Sequence, residues 1–315
     1  MKRIVVALGG NALQKAGVPA TAENQLHAVQ ESAKHIVNML EKGYQVILAH
    51  GNGPQVGRIV QQNELSAAAT PPMPFDVCGA MSQGMIGYQI QQCLQNELRA
   101  RGLRREVATV LTQVEVDPAD PGFSHPTKPI GRFYSAEEVR EQQAAHPDFA
   151  YKEDAGRGWR RVVSSPAPKS ILELPTIEAV LARDIVPVTV GGGGIPVVIA
   201  PDGTITGVEA VIDKDLSAEL LAEKLDADIL LILTAVEKVC IHFGKEDQQA
   251  LDRMDTAEAM GYADDGEFAP GSMLPKVLAA VRFAESKPGR VTVITSLEKA
   301  AESLEGRTGT IVVNS

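Results

Sequence analysis

The sequence predicts an α/β fold built on a doubly wound, mostly parallel sheet with helices on both faces. Two observations carry this prediction. Short apolar runs typical of buried strands alternate with longer segments of helical periodicity, and three of these runs end directly in a glycine loop. With 315 residues, the chain is long enough for one large domain, or for two lobes, with a full hydrophobic core.

The first strand is predicted at residues 4–8, and it ends at Gly9, Gly10 and Asn11. Glycine lets the backbone turn sharply and leaves peptide N–H groups uncovered by a Cβ atom. A phosphate or a carboxylate can bind to such a donor surface. Taken alone, the loop is better explained as an ordinary strand-to-helix turn, but two similar loops follow further along the chain.

The second glycine loop consists of Gly51, Asn52 and Gly53, and it follows a predicted strand at residues 45–49. A helix with apolar positions between residues 26 and 40 connects the two strands. Because the carboxyl ends of parallel strands lie at one edge of a sheet, we expect the first two loops to line one crevice.

Residues 70–76 are predicted to form an irregular loop because they include three prolines, and residues 79–101 are predicted to form a helix. Gly79, Gly84 and Gly87 give this helix a face of small residues, which costs stability within a helix. We therefore expect this face to approach another helix closely, either within the subunit or across a dimer.

After a predicted strand at residues 107–113, the pattern changes. Residues 117–168 are rich in proline, glycine and charge, with a short helix at 135–145 and a hairpin formed by 149–152 and 159–163. Because the α/β alternation resumes afterwards, this stretch is predicted to be an excursion from the sheet. Long insertions of this kind are often lids or binding elements.

The remainder of the chain returns to alternating strands and helices. A strand at residues 185–190 ends in the third glycine loop, 191–194, and a hairpin turns at 201–203. Helices are expected after residues 215 and 276. The other predicted strands are 228–234, 291–295 and 311–313.

Composition limits the possible partners. The net charge of −10 argues against a broad nucleic-acid surface, although it is compatible with a local basic cleft for a small phosphorylated ligand. Cys78, Cys93 and Cys240 are scattered without zinc or redox spacing, which fits a reducing compartment. The N-terminus lacks signal-peptide features, and no apolar run has membrane-spanning length. We expect a cytoplasmic protein without a membrane partner.

Familiar nucleotide and hydrolase motifs fit poorly. The chain has no P-loop, and its six histidines show no metal-ligand or Ser/His/Asp pattern. Gly51, Gly53 and Gly57 approach a dinucleotide fingerprint. However, the acidic residue expected about twenty positions later falls in the proline-rich loop around Asp76, so a nicotinamide-dependent dehydrogenase is a poor alternative.

Three lysines stand out by their position. Lys128 lies between two prolines, Lys214 between two aspartates before a helix, and Lys276 just after a glycine–serine turn. Each alone is more often a solvated surface lysine, and Asp215 alone is compatible with a helix N-cap. Their shared placement in loops beside glycine turns suggests a cationic phosphate site, since phosphoryl transfer needs mainly positioning and charge compensation.

Eight strings, in order along the chain, resemble those of the carbamate kinases of the amino-acid kinase superfamily. They are VALGGNAL at 6–13, HGNGPQVG at 50–57, GAMSQGMIGY at 79–88, PTKPIG at 126–131, EDAGRGWRRVVSSP at 153–166, GGGGIPV at 191–197, EAVIDKDL at 209–216 and FAPGSMLPK at 268–276. The lysine of PTKPIG, within an inserted subdomain, is the most telling. The resemblance implies a three-layer αβα sandwich with a mostly parallel central sheet, the amino-acid kinase fold, plus a small protruding lid.

The resemblance further implies a homodimer that catalyses ATP + carbamate = ADP + carbamoyl phosphate, with Mg²⁺ on the phosphates. Such enzymes usually form ATP in the fermentative breakdown of arginine or related nitrogen compounds. Residues 1–200 would form a lobe for carbamate or carbamoyl phosphate, with the lid inserted at about 117–168, and residues 201–315 a nucleotide-binding lobe.

Residue roles follow from the same resemblance. Lys128 would reach the acceptor and the phosphoryl group, while Lys214 and Lys276 would compensate charge on the nucleotide phosphates, with Asp215 orienting them. The transferred phosphoryl group would be held by Gly9, Gly10 and Asn11. Carbamate would be held by Gly51, Asn52 and Gly53. The nucleotide base would be bordered by Thr234, Ala235, Val236, Val239 and Met273.

Two alternatives stay open at this point. A related kinase that phosphorylates another small carboxylate, carbamate or phosphate would keep the same loops. A binding or regulatory module could keep the fold without turnover, although the intact Lys128, Lys214 and Lys276 weigh against it. Carbamate is already anionic, so its phosphorylation needs no strong general base, and the sequence offers no obvious one.

Overall fold

The computed structural model describes residues 1–14, 17–153 and 158–314. The strands in chain order are β1 (Arg3–Leu8), β2 (Gln45–His50), β3 (Val107–Thr109), β4 (Gln113–Val116), β5 (Lys128–Tyr134), β6 (Ala150–Glu153), β7 (Trp159–Val163), β8 (Pro168–Ile171), β9 (Val186–Thr189), β10 (Ile195–Ile199), β11 (Ile205–Gly207), β12 (Ile229–Thr234), β13 (Val239–Ile241), β14 (Gln249–Leu251), β15 (Arg253–Asp255), β16 (Val291–Ser296) and β17 (Thr310–Val313). The α-helices are α1 (Ala22–Glu41), α2 (Gly53–Ser66), α3 (Phe75–Ala100), α4 (Ala136–Ala145), α5 (Leu174–Leu181), α6 (Lys214–Lys224), α7 (Thr256–Asp264), α8 (Met273–Ser286) and α9 (Ala300–Ser303). None of these described helices is long and apolar enough to cross a membrane.

Eight strands form the central sheet, in the order β15-β17-β16-β12-β1-β2-β9-β3. Every neighbouring pair is parallel except β16 and β17. Side chains of β1 alternate between two buried clusters: Ile4 and Val6 pack with residues of α1 and α3, whereas Val5 and Ala7 pack with residues of α5, α6 and α8. Helices therefore cover both faces, and the predicted α/β sandwich with a mostly parallel sheet is confirmed.

The direction in which the chain adds strands reverses beside β1. Strands β2, β9 and β3 lie on one side of it, and β12, β16, β17 and β15 lie on the other. Open α/β sheets bind ligands beyond the carboxyl ends of the strands at such a switch point. Because β1, β2, β9 and β12 run parallel, the loops that follow them all emerge at this edge.

The predicted excursion contains β5, β6, β7 and α4, which we call the lid. Its strands form a separate antiparallel sheet, so the predicted hairpin is confirmed, although its turn at 154–157 lies outside the described residues. The lid is docked on α2. A Cβ atom on Gly57 would lie 2.1 Å from the backbone nitrogen of Gly131, so the two backbones are in contact. Beside this contact, Ile130 of the lid is buried with Val56 of α2.

Two element boundaries differ from the prediction. Helix α3 begins at Phe75 because Pro74 occupies the N-cap position, where its missing N–H costs nothing. The strand expected at 107–113 is two strands: β3 belongs to the central sheet and β4 to a second sheet of order β11-β10-β4-β8. The chain leaves the central sheet between them, where the Thr112 N–H donates to the Gln83 side chain at 2.7 Å.

The small-residue face of α3 does not pack on another helix within the described chain. A Cβ atom on Gly87 would lie 2.3 Å from the methyl group of Thr109, at the end of β3. Nothing lies within 4 Å of a Cβ atom built on Gly79 or Gly84. The helix contact expected within the subunit is therefore wrong, and the dimer contact stays a prediction.

Candidate active site

A cleft of about 280 Å³ lies at the switch point of the sheet. Its walls come from the first two glycine loops, the N-terminal turns of α2, α6 and α8, and the lid. The predicted site residues that line it are Gly10, Gly51, Asn52, Gly53, Lys128, Lys214, Asp215 and Lys276. Segments that are more than two hundred residues apart in the sequence thus meet in one cleft.

Two of the lysines lie in the first turns of helices, not in the loops predicted for them. Helix α6 begins at Lys214, and its N-cap is Asp213, whose carboxylate accepts the Asp215 N–H at 2.8 Å. The N-cap assignment considered for Asp215 is therefore wrong. Helix α8 begins at Met273, so Lys276 lies in its first turn. Both helices direct the positive end of their dipole toward the cleft, which favours an anion there.

Asp215 joins these two lysines. Its carboxylate accepts a hydrogen bond from the Lys214 ammonium and one from Lys276 Nζ at 3.0 Å. Burial alone would raise the pKa of Asp215, but the two ammonium groups outweigh burial and hold that pKa well below its usual range. Burial also lowers the pKa of Lys214, and Asp215 opposes this shift. The carboxylate thus holds two cations side by side.

Lys128 brings the lid to the same place. It is the first residue of β5, and its Nζ lies 2.5 Å from Oδ2 of Asp213. The same carboxylate caps α6 through Oδ1. Asp213 therefore connects the lid lysine to the helix that carries Lys214 and Asp215.

The first glycine loop is pressed against β12. A Cβ atom on Gly9 would lie 2.5 Å from the carbonyl oxygen of Leu233, so this close approach requires glycine. Gly10 has open space around it and lines the cleft. The side chain of Asn11 lies outside the described part of the structure.

The third glycine loop supports the site from behind. A Cβ atom on Gly192 would lie 2.1 Å from Nδ2 of Asn52, and one on Gly193 would lie 2.2 Å from the carbonyl oxygen of Ile212. Both glycines have positive φ, at 66° and 92°. This loop therefore fixes the second glycine loop and the entry to α6 by packing.

His50 has a structural place beside the second glycine loop, as the sequence predicted. Its Nδ1 lies 2.9 Å from the carbonyl oxygen of Gly51, and burial lowers its pKa to about 4. The ring is therefore neutral at pH 7. Gly191 packs directly on it, because a Cβ atom there would lie 2.3 Å from Nε2.

The residues predicted to border the nucleotide base do not line the cleft. Thr234 and Ala235 line a smaller cavity of about 90 Å³ beside Gly9. Val236 follows them at partial burial, and Met273 lies beside the cleft residue Ser272. Val239 is fully buried in the core, so its side chain presents no surface to a ligand. The role of this group stays a prediction.

The cleft also contains residues that the sequence analysis did not assign to it. Arg160 on β7 lines it and donates to the carbonyl oxygen of Gly131 at 3.1 Å. Asp213 and Gln55 line it as well. Gln55 lies two residues after the second glycine loop, and Asp213 precedes an apolar helix as N-cap residues do. Their positions in the sequence could have indicated that Gln55 and Asp213 lie near the site. Nothing in the sequence around Arg160 indicated this.

Comparison with known proteins agrees with this fold and site. The sequence profile of the Amino acid kinase family matches residues 2–295. The chain therefore belongs to the amino acid kinase family.

Similar proteins within the amino acid kinase family define a narrower class. Carbamate kinase from Pyrococcus furiosus is 49% identical over 314 residues, which cover 99% of each chain. The carbamate kinase-like protein YqeA from Escherichia coli is 50% identical over 314 residues, again 99% of each chain. The structure of Giardia lamblia carbamate kinase bound to AMP-PNP matches with a TM-score of 0.92 and 43% identity, and covers 100% of this chain and 99% of that chain. Within its family the chain thus groups with the carbamate kinases, which are phosphotransferases, and the resemblance found in the sequence is confirmed.

Proposed function

We propose that the chain catalyses reversible phosphoryl transfer between ATP and carbamate, ATP + carbamate = ADP + carbamoyl phosphate. The observation that carries the proposal is the meeting of Lys128, Lys214 and Lys276 in one cleft, in a chain whose relatives are carbamate kinases. The AMP-PNP bound by the Giardia protein supports ATP as the nucleotide.

The proposed mechanism follows from charge. As the phosphoryl group moves between two anionic oxygens, negative charge spreads over its equatorial oxygens. Lys214 and Lys276 compensate charge on the nucleotide side, and Lys128 does so on the carbamate side. Backbone N–H groups of Gly10 and of the first turn of α2 supply further donors. Carbamate attacks as an anion, and the two carboxylates of the cleft position lysines without acting as general bases.

We propose that Mg²⁺ accompanies the nucleotide. The described residues contain no group of three or more His, Cys, Asp or Glu side chains that could hold a metal ion. Asp213 and Asp215 are already paired with lysines. This arrangement fits a Mg²⁺ ion that is held by phosphate oxygens and water and neutralises phosphate charge.

In this proposal residues 1–200 bind carbamate, with the lid inserted at about 117–168, and residues 201–315 bind the nucleotide. Asn11 would contact the phosphoryl group. The switch point beside β1, where the direction in which the chain adds strands reverses, supports the division, because it separates the strands contributed by the two segments. We further propose the cytoplasm as the location and ATP formation in the breakdown of arginine or related nitrogen compounds as the role.

An acceptor panel tests the substrate assignment. Purified protein with ADP, Mg²⁺ and carbamoyl phosphate is expected to form ATP, and in reverse to consume ATP fastest with carbamate. Acetate, glutamate and uridine monophosphate serve as competing acceptors. Faster turnover of one of these acceptors would show that the chain is a related kinase with a substrate other than carbamate. Nucleotide binding without any turnover would favour a binding or regulatory module.

We propose that the chain forms a homodimer through the exposed face of α3. Val77, Met81, Met85 and Tyr88 recur at helical spacing and are all more than one third exposed. A groove of about 560 Å³ lies beside them and includes Gly84. Two copies related by a two-fold axis could bury this apolar face together.

Sedimentation velocity tests the dimer. We expect the wild-type protein to give a mass twice that of one chain, which is 33.5 kDa, and the variant Tyr88→Glu to give the mass of one chain. Leu65→Glu is the matched control because Leu65 is 80% exposed but lies on α2. A monomeric wild type, or a dimer unaffected by Tyr88→Glu, would contradict the proposed surface.

A further inference from the structure

Gln55 is a buried amide at the wall of the cleft. It lies in the first turn of α2, two residues after the second glycine loop, and only 4% of it is exposed. Its Oε1 atom is buried and accepts no hydrogen bond from any described residue. Buried side-chain oxygens are nearly always hydrogen-bonded, because an unpaired one loses its contact with water without compensation. Within the described chain, Gln55 therefore has an unused acceptor, and a half-turn of its side-chain amide would present this oxygen to a substrate in the cleft.

The other polar groups of the cleft show what kind of partner this is. Both carboxylates already accept from lysines: Asp213 from Lys128, and Asp215 from Lys214 and Lys276. The ammonium groups and backbone N–H groups are donors, and they suit the oxygens of a phosphate or carbamate. A substrate that also carries N–H donors needs acceptors, and the side-chain amide oxygens of Gln55 and Asn52 can supply them.

Asn52 adds a second acceptor beside Gln55. Its Nδ2 donates to the Ser82 hydroxyl at 2.8 Å, and that hydroxyl donates to the carbonyl oxygen of Gly79 at 2.7 Å. These bonds fix the orientation of the Asn52 amide and leave its Oδ1 as an acceptor. The Gln55 amide has no such bond at its oxygen from the described part of the structure. A half-turn of this amide exchanges the positions of its oxygen and its nitrogen, so that either atom can meet a ligand.

We infer that Gln55 recognises the amino group of the carbamoyl moiety and thereby sets the substrate preference of the enzyme. This inference rests on the proposed function. Carbamate and carbamoyl phosphate carry an NH₂ group where acetate and acetyl phosphate carry a methyl group. A site that hydrogen-bonds a substrate N–H rejects an analogue without it far better than an apolar pocket distinguishes similar shapes, because the analogue leaves the buried acceptor unpaired.

The test compares carbamoyl phosphate with acetyl phosphate as phosphoryl donors to ADP. The variant Gln55→Met keeps the length of the side chain and removes the amide. We expect kcat/KM for carbamoyl phosphate to fall about 10²-fold, and kcat/KM for acetyl phosphate to change less than about 3-fold. KM for ADP should stay unchanged. Gln62→Met, on the exposed side of the same helix, is the matched control and should leave kcat/KM unchanged for both phosphoryl donors.

A different result would overturn the inference: equal losses for the two donors, or no loss for either. If Gln55→Met does not fold, Gln55→Leu and Gln55→Glu provide the same comparison, and the glutamate, which keeps two acceptor oxygens, should retain more of the preference than leucine. A wild-type protein that forms no ATP from either donor would refute the proposed function. In that case, protection of the folded state by carbamoyl phosphate, lost in Gln55→Met, would still support recognition of the amino group, and equal protection would refute it.

Discussion

At the scale of single residues, the site depends on two carboxylates that hold three ammonium groups in place. Asp215 is buried between Lys214 and Lys276, and Asp213 holds Lys128. An isolated lysine pair would separate because like charges repel. With a shared carboxylate between them, the cations stay close together until an anionic substrate arrives, and the site needs little rearrangement when the phosphoryl group is transferred.

Removal of either lysine that pairs with Asp215 tests this view. Lys214→Ala or Lys276→Ala should each cost about 3 kcal/mol or more of transition-state stabilisation, about 10²-fold in rate, by analogy with the loss of one oxyanion donor. Initial rates of ATP formation measure the effect. Lys169→Ala, which removes an exposed lysine paired with Glu115, is the control and should keep wild-type rates. Unchanged turnover in both cleft variants would remove these lysines from the mechanism.

Asp213→Asn separates the two roles of Asp213. Asparagine caps helices as well as aspartate does, so thermal stability should change little. The amide cannot neutralise the Lys128 ammonium, however, and kcat should fall about 10-fold or more because the lysine is misplaced. Melting curves and steady-state kinetics check the two parts. A variant with wild-type kcat, or one whose loss simply adds to that of Lys128→Ala, would show that the pairing does not position Lys128.

At the scale of elements, the lid is positioned by direct contact with α2. The backbones of Gly57 and Gly131 touch, Ile130 is buried against α2, and Arg161 of β7 pairs with Glu64 at 2.7 Å. These contacts bind the lid to the segment that carries the second glycine loop. Lys128 and the second glycine loop are therefore held in one arrangement by direct contacts, and the Lys128–Asp213 pair joins this arrangement to α6.

Gly57→Ala is expected to displace the lid. The new methyl group would lie 2.1 Å from the Gly131 nitrogen, so the two elements must separate. We expect kcat/KM for carbamoyl phosphate to fall at least about 10-fold, since a misplacement of about 1 Å can cost 10²-fold. Gly261→Ala is the control, because nothing lies within 4 Å of a Cβ atom there. Equal activity in the two variants would mean that the lid contact does not set the site.

Helix α6 should also make stability depend on pH. Burial, reinforced by Glu223, raises the pKa of Glu219 from 4.5 to about 7. Between these values the folded state holds a proton that the unfolded state has lost, so the free energy of unfolding falls as pH rises, by about 3 kcal/mol in total. Glu219→Gln should remove this loss, and urea unfolding at pH 5 and pH 8 measures it. Glu285→Gln, at an exposed glutamate of α8, is the control. An unchanged pH difference in Glu219→Gln would contradict the expectation.

For the molecule as a whole, the central architecture was predictable because β1, β2 and β9 are mainly apolar and each is followed by a glycine loop. The sequence could not show that Lys214 and Lys276 lie within helices, since Asp213 caps α6 two residues earlier than expected and α8 begins close to Gly271. Nor could it separate β3 from β4, because the break at Thr112 depends on a distant partner, Gln83. Contacts between remote segments decide such details, and local patterns carry no record of them.

In the proposed mechanism, cations from distant segments act together on one phosphoryl group. A crystal structure with ADP, Mg²⁺, carbamate and a planar fluoride mimic of the transferred group would show whether they do. We expect Nζ of Lys128, Lys214 and Lys276 each to lie within about 3 Å of an oxygen or fluorine atom of the bound groups. A complex in which Lys214 and Lys276 point away from the phosphates, with the mimic bound elsewhere than beside Gly10, would contradict it.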